Sequence, residues 1–305
     1  MIGLDVRVVS KVPKMEGGHI FNSGEFQALK NSEVKNLVLI KNKLPLARIS
    51  FSLDHGKAIS GQGATFGSVD STTELSKETA TYFLKEVCTV LKKHGAKEVV
   101  IKHWPEGYTS SNDIQASLAE IGFKVIAHEI NQHIAVQDEP FKQLISKSER
   151  KKLNQGIKEN YSFKILTIND LKSVYALVEE TRVRKDFPVS MSFEELNQTI
   201  KALPDKYLLF GLFAGEELIA ASVSIRISED ILYNFYHADA YAYRSTSPIV
   251  LLVQEIYNYC KLYNIKILDL GVSSEEGKVN TGLFKFKENL GCVTSAKKTY
   301  SMKYD

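Results

Sequence analysis

Residues Ala238–Gly271 read ADAYAYRSTSPIVLLVQEIYNYCKLYNIKILDLG, and each element can be named from its residues. The stretch leaves a strand-like run, ILYNFYHADA (231–240), and breaks in a polar turn, Arg244-Ser245-Thr246-Ser247-Pro248. Proline lacks an N–H and has its φ preset for a first helical turn, so Pro248 opens a helix, with Ser247 placed to cap it. That helix runs through Tyr263, and IKILDLGV (265–272) reads as a strand. Strand, turn, helix, strand is therefore the local order.

Working outward, NTGLFKFKENLGC (280–292) is a short helix closed by a glycine. If Leu283 and Leu290 face a core, the 3.6-residue period points Lys287 inward as well. Lysine is rarely fully buried. Either the ammonium serves a charge inside, or the stripe rotates toward Phe286 and Lys287 snorkels out beside Leu290. AKKTYSMKY (296–304) follows as the last strand.

Upstream, NLVLI and LARISFSL are strands separated by the polar tip KNKLP, and the Gly-rich GQGATFGS follows. A helix over ETATYFLKEVCTVLKKHG shows Phe83, Val87, Val90 and Leu91 at helical spacing, with Gly95 as its stop. KEVVI is a strand, NDIQASLAEIGF a helix, and KVIAHEINQHIAV a strand. Beyond the basic segment 142–160 come strand FKILT, helices at 169–185 and 192–202, and a hairpin turning near Gly215. A shift of 169 residues, without gaps, pairs AKEVVI with IKILDL, Gly122 with Gly291, Ile114 with Leu283 and Ile121 with Leu290. The halves read as copies of one unit. In this pairing Lys287 falls opposite Leu118, so a core position of the first copy is a charge in the second.

The bulk properties narrow the function classes. The 305 residues suit one large or two ordinary domains, and a net charge of +3 is too small to imply nucleic acid by itself. Cys88, Cys260 and Cys292 have no CxxC spacing and fit core packing in a reducing compartment. The seven histidines show no paired ligand spacing, so no metal is expected. There is no GxSxG, no P-loop and no apolar run long enough to span a bilayer, and the stretch MIGLDVRVVSK lacks the long apolar region expected of a signal peptide. A cytoplasmic protein without a membrane span is expected.

Three segments carry a resemblance. SKSERKKLNQGIKEN (146–160) is similar to the basic R-x-x-I/L-x-x-A/G helix of FemABX-like and related tandem-GNAT N-acyltransferases. Residues 238–271 are similar to that family's YR-x-x-S-P turn, helix and DfG strand. FKFKENLG resembles its F-K-x-x-F-G motif, with Leu290 in place of the second Phe. The resemblance implies an α/β (α+β) fold of two tandem GNAT-like units, each a mixed, mostly antiparallel sheet flanked by helices. Residues 1–141 would be a degenerate N-terminal unit serving as scaffold or substrate platform. Residues 142–305, with a basic connecting helix at 142–160, would carry the acyltransferase site.

It also implies the transfer of an acyl group from an acyl-CoA (acetyl-CoA) donor to an amine, on a small molecule or a cell-wall precursor. Aminoacyl-tRNA-dependent transfer of the peptidoglycan-bridge type is the alternative, and a non-catalytic binding module another. Lys287, Asp239 and Tyr236 are the catalytic candidates: Lys287 for developing negative charge, the strand-end residues for taking a proton from the amine. Arg244, Ser245, Thr246 and Ser247 stand where such a fold binds the donor's pyrophosphate. The turn departs from Q/R-x-x-G-x-G/A in having no glycine, and Pro248 offers no N–H. The helix N-terminus still favours an anion. Arg150, Asp269 and Asn280 are the substrate-side candidates; Asp269 sits in an otherwise apolar strand and needs a partner. The cations Lys142, Lys147, Arg150, Lys151, Lys152 and Lys158 would contact phosphates, of tRNA or of a nucleotide-linked precursor, or else form a solvated face.

Overall fold

The computed structural model describes every residue except 1, 2, 31, 109–111, 276 and 305. Apart from single turns and two-residue bridges, the elements up to residue 135 begin with strands β1 (Leu4–Val9), β2 (Glu33–Lys41), β3 (Leu44–Asp54) and β4 (Lys57–Ser60). Helix α1 (Lys77–Lys93), strand β5 (Glu98–Lys102), helix α2 (Asn112–Glu120) and strand β6 (Lys124–Ala135) follow. Then come α3 (Lys147–Lys158), β7 (Ser162–Leu166), α4 (Leu171–Arg184), α5 (Phe193–Ala202), β8 (Tyr207–Ala214), β9 (Glu217–Arg226) and β10 (Ile231–Asp239). The chain closes with α6 (Pro248–Leu262), β11 (Ile267–Val272), α7 (Thr281–Asn289) and β12 (Val293–Lys303).

Two compact units result: Met1–Asn131 with Ser274–Lys278 and Ser295–Asp305, and Gln132–Ser273 with Val279–Thr294. The division does not follow a cut between 141 and 142. The end of β6 belongs to the second unit, and most of β12 to the first. The reason is pairing: β12 runs antiparallel to β5, from Thr299↔Lys102 to Lys303↔Glu98.

In the first unit the strand order is β1-β2-β3-β4-β5-β12. All neighbours are antiparallel except β4 and β5, which are parallel. In the second unit the order is β7-β8-β9-β10-β11-β6, and β10 and β11, in the corresponding place, are again parallel. The matching orders support the duplication read from the 169-residue shift. The strands of each unit pair in a mixed, mostly antiparallel pattern, as expected.

The cores follow the apolar periodicity. Phe83, Leu84, Val87 and Leu91 of α1 are buried, as are Leu37, Ile49, Phe51 and Val99 on the strands of the same unit. In the second unit Val250, Leu252, Val253, Ile256 and Tyr257 of α6 pack with Phe210, Leu212, Ile219 and Leu268. Each such side chain contributes about 1.5–3 kcal/mol relative to exposure. The β2–β3 turn is narrower than the tip KNKLP suggests: Asn42 and Lys43, at φ 51° and 69°, form a two-residue turn whose handedness matches the strand twist. The helix end at Gly291 requires glycine, with φ +81° and a Cβ that would meet the Leu144 carbonyl oxygen at 2.9 Å.

Candidate active site of the second unit

The parallel ladder between β10 and β11 runs from Ile231↔Ile267 to Tyr233↔Asp269. β10 continues to Asp239 and β11 to Val272, so among the described residues the two strands part beyond Asp269. Gly271 makes the departure, at φ +78°, and a Cβ there would meet the Tyr233 ring at 3.2 Å. The Asp269 carboxylate Oδ1 accepts from the Gly271 N–H at 2.7 Å, which gives this buried acid a local partner.

Lys287 of α7 enters at this end of β11. It is 2% exposed, and its Nζ donates to the carbonyls of Gly271 at 2.8 Å and Val272 at 2.9 Å. The snorkelling alternative is therefore not what forms. Burial pulls its pKa down to about 8, against the opposing pull of Asp269. The ammonium is thus the main form at neutral pH, with two of its three N–H bonds occupied among the described residues. On β10, burial and then Lys185, Lys287 and Arg182 push the His237 ring down to about 3, so it is a neutral imidazole.

A set of cations surrounds the end of β10. Arg184 NH2 donates to the Asp239 carboxylate at 2.8 Å and to its backbone carbonyl at 3.1 Å. Arg244 Nε lies 3.7 Å from the other carboxylate oxygen. Arg182 stands over the Tyr236 ring at 5.3 Å. Arg184 and Arg244 stand over Tyr241, at 5.4 and 5.9 Å. Lys185 lies among them: its pKa is lowered chiefly by desolvation, opposed by Asp239 and reinforced by Arg184, Arg244 and Arg182. The Nε of Arg184 is buried without a hydrogen-bond partner among the described residues. Thr181 fixes the strand end, its hydroxyl accepting from the Asp239 N–H and donating to the Asp239 carbonyl, both at 3.2 Å.

Of the residues expected from sequence, the structure brings Asp239, Tyr236 and Arg244 into one neighbourhood, and the field of Lys287 reaches His237 within it. Asp239 is engaged as counter-ion to two guanidiniums. Tyr236 accepts from the Met191 N–H at 3.1 Å, and its hydroxyl is hydrogen-bonded to that of Ser190 at 2.6 Å. Ser247 stands at the start of α6 but does not cap it with its side chain. Its backbone is left-handed, φ 50°, and its hydroxyl turns toward the Arg244 carbonyl instead. Thr246 donates to the Tyr243 carbonyl at 2.8 Å, while Ser245 is exposed. Arg150 folds back onto the Ile145 carbonyl at 3.0 Å. Asn280 caps α7, accepting from the Leu283 N–H at 2.9 Å. Sequence reading passed over Arg182, Arg184 and Lys185. Their signal is three cations in four residues at a helix end, which also reads as an ordinary basic C-terminus.

By sequence the chain matches no protein-family model and no curated protein. By structure it is similar to FemX, at TM-score 0.74 and 11% identity, over 95% of this chain and 94% of that one. It is also similar to L-PGS from Bacillus licheniformis, at TM-score 0.60 and 13% identity, over 85% of this chain and 82% of that one. A tandem GNAT protein from the clavulanic acid biosynthesis pathway gives TM-score 0.56 and 9% identity, over 98% of each chain. The fold is thus the FemABX-like tandem GNAT fold. Among the described residues no group of His, Cys, Asp or Glu could hold a metal ion. None of their helices is long and apolar enough to cross a membrane.

Proposed function

We propose that the second unit is an N-acyltransferase whose acyl donor is carried on a phosphate-bearing group. The observation that carries this is Lys287, a buried ammonium where β10 and β11 part. Burying a charge is costly, and the carbonyls of Gly271 and Val272 occupy only two of its three donors. Among the described residues the third has no partner, and it can meet negative charge developing in the opening.

The donor's anionic end would lie against Arg182, Arg184, Lys185 and Arg244, whose net charge Asp239 only partly offsets. The neutral acceptor amine attacks the acyl carbonyl carbon, whose oxygen takes the electron pair; the tetrahedral adduct then re-forms the carbonyl and expels the carrier with its bonding pair, the carrier taking up the proton that the amine nitrogen gives up. An ammonium fixed beforehand stabilises that charge without reorganising. Among the described residues, neither His237 nor Asp239 is a ready base. His237 binds a proton only near pH 3, and Asp239 is held by two arginines. The amine therefore enters unprotonated, and the unit contributes chiefly by orientation.

The donor is acyl-CoA in this reading. Aminoacyl-tRNA is favoured over it by one feature: Pro248 and the left-handed Ser247 replace the backbone N–H groups of a pyrophosphate loop. The acceptor is an amine on a small molecule or a cell-wall precursor. Acyl transfer from acetyl-CoA and from charged tRNA, assayed with the wild type and with Lys287→Met, tests the proposal. Turnover from one donor that collapses in the variant supports it; equal turnover in both proteins refutes it.

A further inference from the structure

The first unit has a groove between one face of its sheet and the chain that follows β1. Side chains alternate along a strand, so Val34, Asn36 and Val38 of β2 share a face, and pairing sets Ser50 and Arg48 of β3 beside Asn36 and Val38 on it. Arg48 NH1 donates to the Pro13 carbonyl at 2.8 Å, which ties residues 10–14 over that face. The turn Gly24–Gln27 closes against the same segment, since a Cβ on Gly24 would meet that of Val12 at 3.5 Å. What stays open is about 900 Å³, within the range usual for small-molecule sites.

Asn36 lines this groove. It is 8% exposed and sits on an interior strand, where asparagine is disfavoured. The Ser50 hydroxyl donates to its Oδ1 at 2.8 Å, which turns the oxygen toward β3 and leaves Nδ2 as the donor end. Nδ2 has no hydrogen-bond partner among the described residues, yet it is not one of the unpaired polar atoms sealed from solvent, so its N–H bonds open onto the groove. Three lysines line the groove against one acid, Glu25. Lys30 is engaged elsewhere: its ammonium donates to the Gly63 carbonyl at 3.2 Å and stands over the Phe26 ring at 4.1 Å. Lys11 and Lys14 are exposed and have no ion pair or hydrogen bond among the described residues. Val12, Pro13 and Val34 add an apolar side.

We propose that this groove binds a small organic anion, a carboxylate or phosphate head on an apolar body. The Asn36 amide donates to the oxygens of the head, Lys11 and Lys14 balance its charge from the rim, and the body lies on Val12, Pro13 and Val34. A buried donor with positive charge beside it suits an oxyanion and offers a cation nothing. Binding here does not depend on acyl transfer in the second unit.

The full-length protein is titrated by calorimetry with phenyl phosphate, with benzoate and with the neutral benzyl alcohol. We expect saturable binding of at least one anion, at least tenfold tighter than the alcohol, and the anion that saturates identifies the head group. Asn36→Asp keeps the shape of the side chain and the acceptor for Ser50 but replaces the donors with negative charge, so it should weaken the anion at least tenfold. The Lys11→Gln, Lys14→Gln double variant should weaken it about tenfold at low salt and less at high salt. If Asn36→Asp fails to fold, the lysine variant decides. The proposal is overturned if neither anion saturates, if the alcohol binds as tightly, or if either folded variant keeps wild-type affinity.

Discussion

Leu118 and Lys287 occupy the same turn of matching helices, 169 residues apart, and both are buried. What separates them is what the neighbouring strand end leaves unpaired. In the first unit the parallel ladder covers the whole of β4, from Lys57↔Glu98 to Ser60↔Ile101. The Gly-rich loop then returns, and the Gly67 N–H donates to the Lys102 carbonyl at 2.8 Å. In the second unit the carbonyl 169 residues later, Gly271, is reached at the same 2.8 Å by the Lys287 ammonium. A backbone N–H in one copy is replaced by a side-chain cation in the other. The lysine thus completes the backbone hydrogen bonding and brings a charge into the opening at once.

The strand-end acids differ in the same way. Asp70 is locked, its side chain 2% exposed and that of its partner Arg48 5%; Asp239 is paired with arginines that are 18% and 57% exposed. Asp70→Ala should therefore cost about 3–5 kcal/mol in urea unfolding, because it strands a buried guanidinium. Asp239→Ala should cost about 1–2 kcal/mol. Equal losses would break the contrast between a structural and a functional acid.

Next in size is Lys287→Met, expected to lower turnover about 10²–10³-fold, as loss of one oxyanion donor does. Its stability should stay within about 1–2 kcal/mol of wild type, since relief of charge burial offsets two lost hydrogen bonds. The pH dependence sharpens this. The unfolded chain holds the lysine proton up to about 10.5, whereas the folded chain releases it at about 8. Between those values the unfolded state binds more protons, so stability rises with pH, by ~3 kcal/mol over the window. Activity should fall over the same rise in pH. Unfolding midpoints from pH 7 to 10.5 should show the climb in wild type and lose it in the variant.

Smaller effects follow. Arg184→Ala and Arg244→Glu should each weaken donor binding about tenfold, less at high salt, as read by calorimetric titration. Asn280→Ala should cost about 1 kcal/mol of stability with donor affinity unchanged. A loss of affinity in that variant would return Asn280 to the substrate side.

Much of this was legible in the sequence because it is local. Pro248 marks the helix start, Gly122 and Gly291 the helix ends, and the apolar spacing of α1 its buried face. The spacing of Leu283 and Leu290 offered the inward position of Lys287 beside a snorkelling alternative, and the structure takes the first. Other features were hidden because they depend on distant partners. Nothing near Ser247 announces its left-handed backbone. The grouping of Arg182 and Arg184 with Arg244 needs α4 and the strand-end turn to meet at Asp239. Among the described residues the indole N–H of Trp104 meets no acceptor, which depends on what the fold places around it.

The assignment of Ser295–Asp305 to the first unit bears on how the protein is made. Its sheet lacks a strand until β12 has left the ribosome, long after β5, the strand β12 pairs with, has emerged. Meanwhile the β5 edge from Glu98 to Lys102 is an unpaired strand rich in β-branched residues, a template for pairing with the wrong chain. A fragment ending at residue 141 would keep that edge open for good, so a stable N-terminal half needs β12 supplied in trans or fused to it.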